Sequence, residues 1–187
     1  MIEAFIRHLR TRGRAAFAEL RRSLTFDPGE YPLAFPHVEP FAAKLAYPWE
    51  RNVFYLVAGL HALVERPLEQ AAPEPSATEN APSSRRNLGH AIKTLYAGRN
   101  ETRSIESRFI ALLDADEEQL QHRLQQMMGL LRADGIDVPW VSLLEDLLRW
   151  NHPERFVQRD WARAFYQHTA PTDADPESPN TTEEVNA

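Results

Sequence analysis

What most constrains this chain is the block from Ile105 to Tyr166, IESRFIALLDADEEQLQHRLQQMMGLLRADGIDVPWVSLLEDLLRWNHPERFVQRDWARAFY. It sets three helix-length apolar patterns, two turn signals and a finish rich in tryptophan and arginine one after another. Apolar residues recur there every three to four positions, the spacing that lines one face of a helix. Nowhere does the apolar–polar alternation of a half-buried strand run beside these patterns, and no segment repeats. The spacing therefore predicts an all-α chain. The expected division is an N-terminal lobe over 1–98, a C-terminal bundle over 99–169 and a disordered acidic tail over 170–187.

Residues 2–24 read as one helix, with Ile2, Phe5, Ile6, Leu9, Ala16, Phe17, Leu20 and Leu24 on a common face. Phe26-Asp-Pro-Gly29 ends it with turn chemistry, and four prolines make 27–40 read as an extended loop. After a short apolar piece from Phe41 to Tyr47, residues 49–65 form a second long helix. Residues 67–84, PLEQAAPEPSATENAPSS, carry few large apolar side chains and cannot repay the entropy of ordering, so a flexible loop is expected. Helical pattern resumes over 87–97, closed by Gly98 as C-cap, and again over 101–113 with Asn100 as N-cap. Asp116 with Gln119 opens a helix through Arg132 that Gly135 terminates. Pro139 and Pro153 fit the first turns of two more, running to Trp150 and to about Tyr166.

The 187 residues contain no cysteine, which excludes a disulfide framework and any thiolate metal site and fits a reducing, cytoplasmic setting. No stretch approaches the roughly 18 uninterrupted apolar residues of a membrane helix. The Arg-rich start could be read as a transit peptide, but Glu3, Glu19 and the unbroken passage into a folded pattern argue against it. A net charge of −6 looks unsuited to nucleic acid, yet five of the acids lie in residues 170–187, which hold no Lys or Arg. The rest carries 22 acidic against 21 basic residues, and only Lys44 and Lys93 among the cations are lysines. Arginine suits phosphate because its planar fork bonds two oxygens at once.

Three cationic groups stand out. On a continuous first helix, Arg7, Arg10, Arg14 and Arg21 would fall within about a 60° sector beside the apolar face, a stripe able to follow a phosphate backbone or simply to meet solvent. A second group is Arg85, Arg86, Lys93, Arg99, Arg103 and Arg108. The third is the row Arg155, Arg159, Arg163, within pairing distance of Glu154 and Asp160. Trp140, Trp150, Trp161, Phe165 and Tyr166 sit at helical spacing among leucines and valines and are assigned to packing. Asp114, Asp116, Glu117 and Glu118 could be read as a two-metal nuclease cluster, but a helix start explains them more simply, because acids stabilise the positive end of the helix dipole. The seven histidines are scattered, and no phosphate-cradling loop or nucleophile elbow is present. Neither an enzyme nor a cofactor is expected.

Several segments, taken in order, resemble the CasB family, the small subunit of the type I-E CRISPR Cascade surveillance complex. They are Arg14 to Arg22, Pro40-Phe41, the NLGHAI stretch from Asn87 to Ile92, Ser107-Arg108-Phe109 through Asp116, the Trp140 to Trp150 run, and Trp161-Ala-Arg-x-Phe-Tyr166. The resemblance implies a non-catalytic all-helical subunit, all-α with two small helical bundles packed together. Its partners would be crRNA and target DNA through their phosphate backbones, other Cascade subunits, and a second copy arranged head to tail, with no membrane. It would stabilise the guide–target duplex and the displaced strand without reading sequence, since base pairing with the guide supplies specificity. Arg21 and Arg22 match the family's early arginine pair and Arg108 its central arginine. His90 and Gln125 stand where relatives carry arginine, and Lys93 or Arg123 can substitute there. The expected nucleic-acid-binding set is Arg14, Arg21, Arg22, Lys93, Arg99, Arg103, Arg108, Arg123, Arg159 and Arg163. The competing reading is a helical protein–protein adaptor whose arginines meet acidic partner surfaces.

Overall fold

The structure, a computed structural model, describes residues 1–67 and 86–167. The expected flexible loop (Pro67 apart) and the acidic tail lie outside the described residues. Within them the chain is all-helical, as the spacing predicts. Nine α-helices follow one another: α1 Ile2–Arg10, α2 Arg14–Ser23, α3 Phe35–Ala42, α4 Pro48–Val64, α5 Leu88–Gly98, α6 Arg103–Leu113, α7 Glu117–Ala133, α8 Trp140–Leu147 and α9 Phe156–Tyr166. A short 3-10 turn, Pro32–Ala34, leads into α3. No helix among the described residues is long and apolar enough to cross a membrane.

The first expected helix is two. The chain breaks at Thr11–Gly13, where Thr11 Oγ1 and Arg12 Nε both donate to the His8 carbonyl and Gly13 is extended. Side chains that bond nearby carbonyls, followed by a glycine, offer the backbone an alternative to the helix. The four-arginine sector calculated for a continuous helix is therefore divided between α1 and α2. The proline-rich 27–40 segment is also not an extended loop throughout, because its second half forms the 3-10 turn and α3. Pro36 occupies the first turn, where its missing N–H is unpaired anyway. Pro40 does break the internal ladder, at a cost of about 3 kcal/mol, and the burial of Ala34, Val38 and Ala42 opposes that cost.

Other boundaries shift for local reasons. Gly98 is the last residue of α5 rather than its cap; Asn100 and Glu101, at φ 53°, make the reversal, and Thr102 is the N-cap of α6. Asn tolerates the left-handed region better than most residues. Pro139 is the N-cap of α8, which ends at Leu147 instead of Trp150. Likewise α9 starts at Phe156, after Arg155 at φ 48°, rather than at Pro153. Asp116 caps α7 as expected, accepting from the Gln119 N–H at 2.9 Å, and Gly135, at φ 65°, turns the chain after it. Asp116→Ala should lower stability by about 0.5–2 kcal/mol. In a chain of this size that is a fall of roughly 1–8 °C in Tm, measurable by thermal melting, with DNA affinity unchanged.

One hydrophobic core runs from Phe5, Phe17 and Val57 through Ile92, Phe109 and Leu124 to Trp161. Helix α4 lies at its centre and packs against α2, α3, α7 and α8, while α5 packs against α9, α7 and α6, and α1 against α8. The four tryptophans fasten these helices together, each donating its indole N–H to a different segment. Trp49 donates to the Leu147 carbonyl at 3.1 Å and Trp140 to Glu65 at 2.7 Å. Trp150 donates to the Ala115 carbonyl at 3.1 Å and Trp161 to Asp146 at 2.7 Å. An aromatic body in the core with its polar tip satisfied is the stable placement for tryptophan. The packing assignment holds for Trp140, Trp150, Trp161 and Phe165; Tyr166 is instead 48% exposed and donates to Glu106.

Candidate nucleic-acid interface

The ten cations expected to meet nucleic acid divide by what already occupies them. Arg21 turns back onto the fold: Nε and an outer nitrogen donate to the Ala62 carbonyl at 3.1 and 2.7 Å. That carbonyl belongs to the last turn of α4, where acceptors lack helical partners and a cation meets the negative end of the dipole. Arg99 forks onto Asp134 at 2.8 and 2.6 Å, and this hydrogen bonding raises the arginine's pKa and lowers the aspartate's. Lys93 donates to the Gln167 carbonyl. Arg163 pairs with Asp160 one turn earlier at 2.8 Å. Arg14 opens α2, exposed. The Nε of Arg123 is buried with no hydrogen-bond partner among the described residues.

Arg22, Arg103, Arg108 and Arg159 are different. All four are exposed, and none has a side-chain hydrogen bond or ion pair among the described residues. Arg21 and Arg22 diverge because neighbours on a helix point about 100° apart, so one can face α4 only if the other does not. Helix α7 links two of the open arginines' helices: Gln121 and Gln125 each donate to the Leu24 carbonyl at 3.0 Å, just past the end of α2, and α6 packs along α7. Near the α5–α9 packing, Asp146 and Asp160 share a hollow of about 280 Å³ with Arg163.

His90 and Gln125 have structural tasks. Gln125 holds α7 to the end of α2. The His90 Nδ1 lies 3.0 Å from Asn87 Oδ1 at the start of α5, and burial, then Lys93 and Arg86, push its pKa down. Three of the four acids once open to a nuclease reading are occupied locally: Asp116 caps α7, Asn151 donates to Glu117, and Asp114 lies 3.9 Å from Arg155. No group of three or more His, Asp or Glu able to hold a metal occurs among the described residues. The sequence reading passed over Arg132 and Arg149, both exposed with no partner among the described residues. Each is isolated from other cations along the chain, so only the fold could bring them into view.

Residues 16–166 match the model of the CRISPR-associated protein Cse2 family. The chain belongs to that family. It is 43% identical over 157 residues to the CRISPR-associated protein Cse2 of Thermus thermophilus, covering 83% of this chain and 79% of that one. The crystal structure of M. ruber CasB is 41% identical, with a TM-score of 0.69 over 88% of this chain and 92% of the other. A chain described as belonging to a CRISPR RNA-guided surveillance complex has the same fold, at 24% identity and a TM-score of 0.69, covering 88% of this chain and 90% of that one. The resemblance to CasB drawn from the sequence therefore holds.

In this Cse2 chain the NLGHAI stretch has a clear packing task. A Cβ on Gly89 would lie 2.3 Å from the Trp161 carbonyl oxygen, so only glycine allows α5 to lie this close to α9. The Trp140 to Trp150 run supplies Asp146, which receives the Trp161 indole, and Trp150, whose ring lies 5.1 Å from that of Trp161. These family segments build the core around Trp161, and the arginines ride on its surface.

Proposed function

We propose that this chain is a non-catalytic small subunit of a cytoplasmic CRISPR Cascade surveillance complex. In this role it contacts crRNA and target DNA through their phosphates, and assembles with other Cascade subunits and a second copy of itself. The observation that carries the reading is that four of the ten expected cations, Arg22, Arg103, Arg108 and Arg159, are exposed and without an internal partner among the described residues, on a family member of near-neutral body charge. An arginine that no carboxylate neutralises keeps its full fork for phosphate, and release of condensed counterions then drives binding. Such contacts position a protein without specifying sequence, which suits a subunit whose complex reads sequence through its guide.

Fluorescence anisotropy with labelled single-stranded and duplex DNA tests this. Arg22→Ala and Arg108→Ala should each weaken binding by about threefold to tenfold, equally for unrelated sequences. Each should lower the magnitude of the salt slope by about one. Arg21→Ala should affect binding less and Tm more, because it leaves an α4 carbonyl without its donor. If Arg22→Ala and Arg108→Ala bind both DNAs like the parent at low salt, the arginines serve protein contacts and the adaptor reading replaces this one.

A further inference from the structure

A cleft of about 760 Å³ opens between the α2–α3 connection, α4 and the start of α7. Its apolar surface is offered by half-buried Leu24 and Trp49, over a floor of buried Val53, Leu56 and Leu120. Asp27 and Glu30 stand on one wall and Glu117 and Glu118 on the other, and among the described residues no lysine or arginine lines the cleft. The helix dipole of α7 accounts for Glu117 and Glu118, but not for Asp27 and Glu30, which come from a different element. Among the described residues none of the four is in an ion pair. The walls are tied together across the cleft's edge, since Gln121 also donates to the Phe26 carbonyl at 3.0 Å. Next to Asp27, the rings of Phe26 (40% exposed) and Tyr31 stack at 5.0 Å, extending apolar surface beyond the rim.

We infer that this cleft is a docking site for a cationic amphipathic segment of another protein chain, one with aliphatic side chains flanked by lysine or arginine. Charge complementarity selects this occupant. Like charges facing each other without a counterion repel in the free protein, and a segment bearing cations relieves that repulsion while its apolar side chains cover Trp49 and Leu24. A polyanion is repelled here, so the surface is separate from the open arginines. The inference rests on the cleft alone and holds whether or not those arginines meet nucleic acid.

The test uses a synthetic peptide of alternating leucine and lysine as probe and follows its binding to the full-length protein by calorimetry. The variant is Asp27→Asn/Glu30→Gln/Glu118→Gln, which spares Glu117 and its contact with Asn151. The parent should bind the peptide, more weakly as salt rises. The variant should bind at least about tenfold more weakly, the loss expected when several exposed charge contacts go together. Its Tm should stay within a few degrees of the parent's, because loss of Glu118 from the first turn of α7 is set against relief of repulsion, and its DNA affinity should not fall, which separates this result from failure of the arginine reading. A serine–lysine peptide should bind clearly less well than the leucine–lysine one. Equal binding by parent and variant, or by the two peptides, overturns the proposal. So does a dimer of the parent in sedimentation that the variant does not form, because the occupant would then be a second copy.

Discussion

Gly89→Ala is expected to destabilise the protein by about 3 kcal/mol or more, the upper end of what overpacking costs. The added Cβ would sit 2.3 Å from the Trp161 carbonyl oxygen and 2.9 Å from both its carbonyl carbon and Cα. All three are backbone atoms, so no rotamer change relieves the clash and α5 must move away from α9. That movement disturbs Trp161, which is fully buried and bonded to Asp146. A fall in Tm of roughly 6–12 °C follows for a chain of this size. Gly129→Ala is the matched control. It lies inside α7 with nothing near the position its Cβ would take, and it should stabilise by about 0.4–1 kcal/mol through the unfolded chain. Thermal melts of the two variants decide the matter. A Gly89→Ala melt within a degree of the parent would show that the helices do not pack as closely as the structure has them.

The second large effect is a dependence of stability on pH through His61. Its ring is 1% exposed, lies between Phe17 and Trp140 and has no hydrogen bond at either nitrogen among the described residues. Burial, reinforced by Arg10, pushes its pKa down from 6.5 to about 4. Between those two values the unfolded chain binds a proton that the folded protein refuses. Stability is therefore greatest above pH 6.5, falls as pH drops and levels off with respect to this group below about 4. The whole loss is on the order of 3 kcal/mol. His8 and His90, also lowered chiefly by burial, act in the same direction. Glu39, lowered chiefly by its bond from Tyr55, adds a loss only as pH falls below the usual carboxylate range. Urea denaturation of the parent and of His61→Leu at about pH 7 and about pH 4.5 isolates the residue. The variant should lose distinctly less stability between the two pH values, because it removes both the titration and two unsatisfied ring nitrogens. Parallel losses in the two proteins would refute the assignment.

How much of this was legible depended on the kind of signal. The apolar spacing of α4 to α9 placed each helix within a few residues, because a helix must put its buried positions on one face. The errors came where that periodicity said nothing. Apolar residues on either side of Thr11–Gly13 stay in phase, so the break between α1 and α2 is invisible to spacing and is made by bonds to the His8 carbonyl. Pro36 and Pro40 signal a loop by propensity, yet Val38 and Ala42 reach the core. Tertiary burial outweighs a local cost of that size.

The same limit governs the candidate site. Sequence identified the arginines, and the order of segments pointed to the family, but Arg21 and Arg22 look equivalent as adjacent letters. Only the approach of α4 distinguishes them, by presenting the Ala62 carbonyl to one. The carboxylate-lined cleft had no sequence signature, since Asp27 and Glu118 are far apart along the chain and meet only through packing. By itself the sequence determined helix content, the cap at Asp116 and the buried tryptophans, because these follow from periodicity and from interactions within a few residues. Which charges are neutralised and which stay open was decided by the tertiary structure, because a charge's partner is set by proximity in space, and proximity exists only once the helices pack.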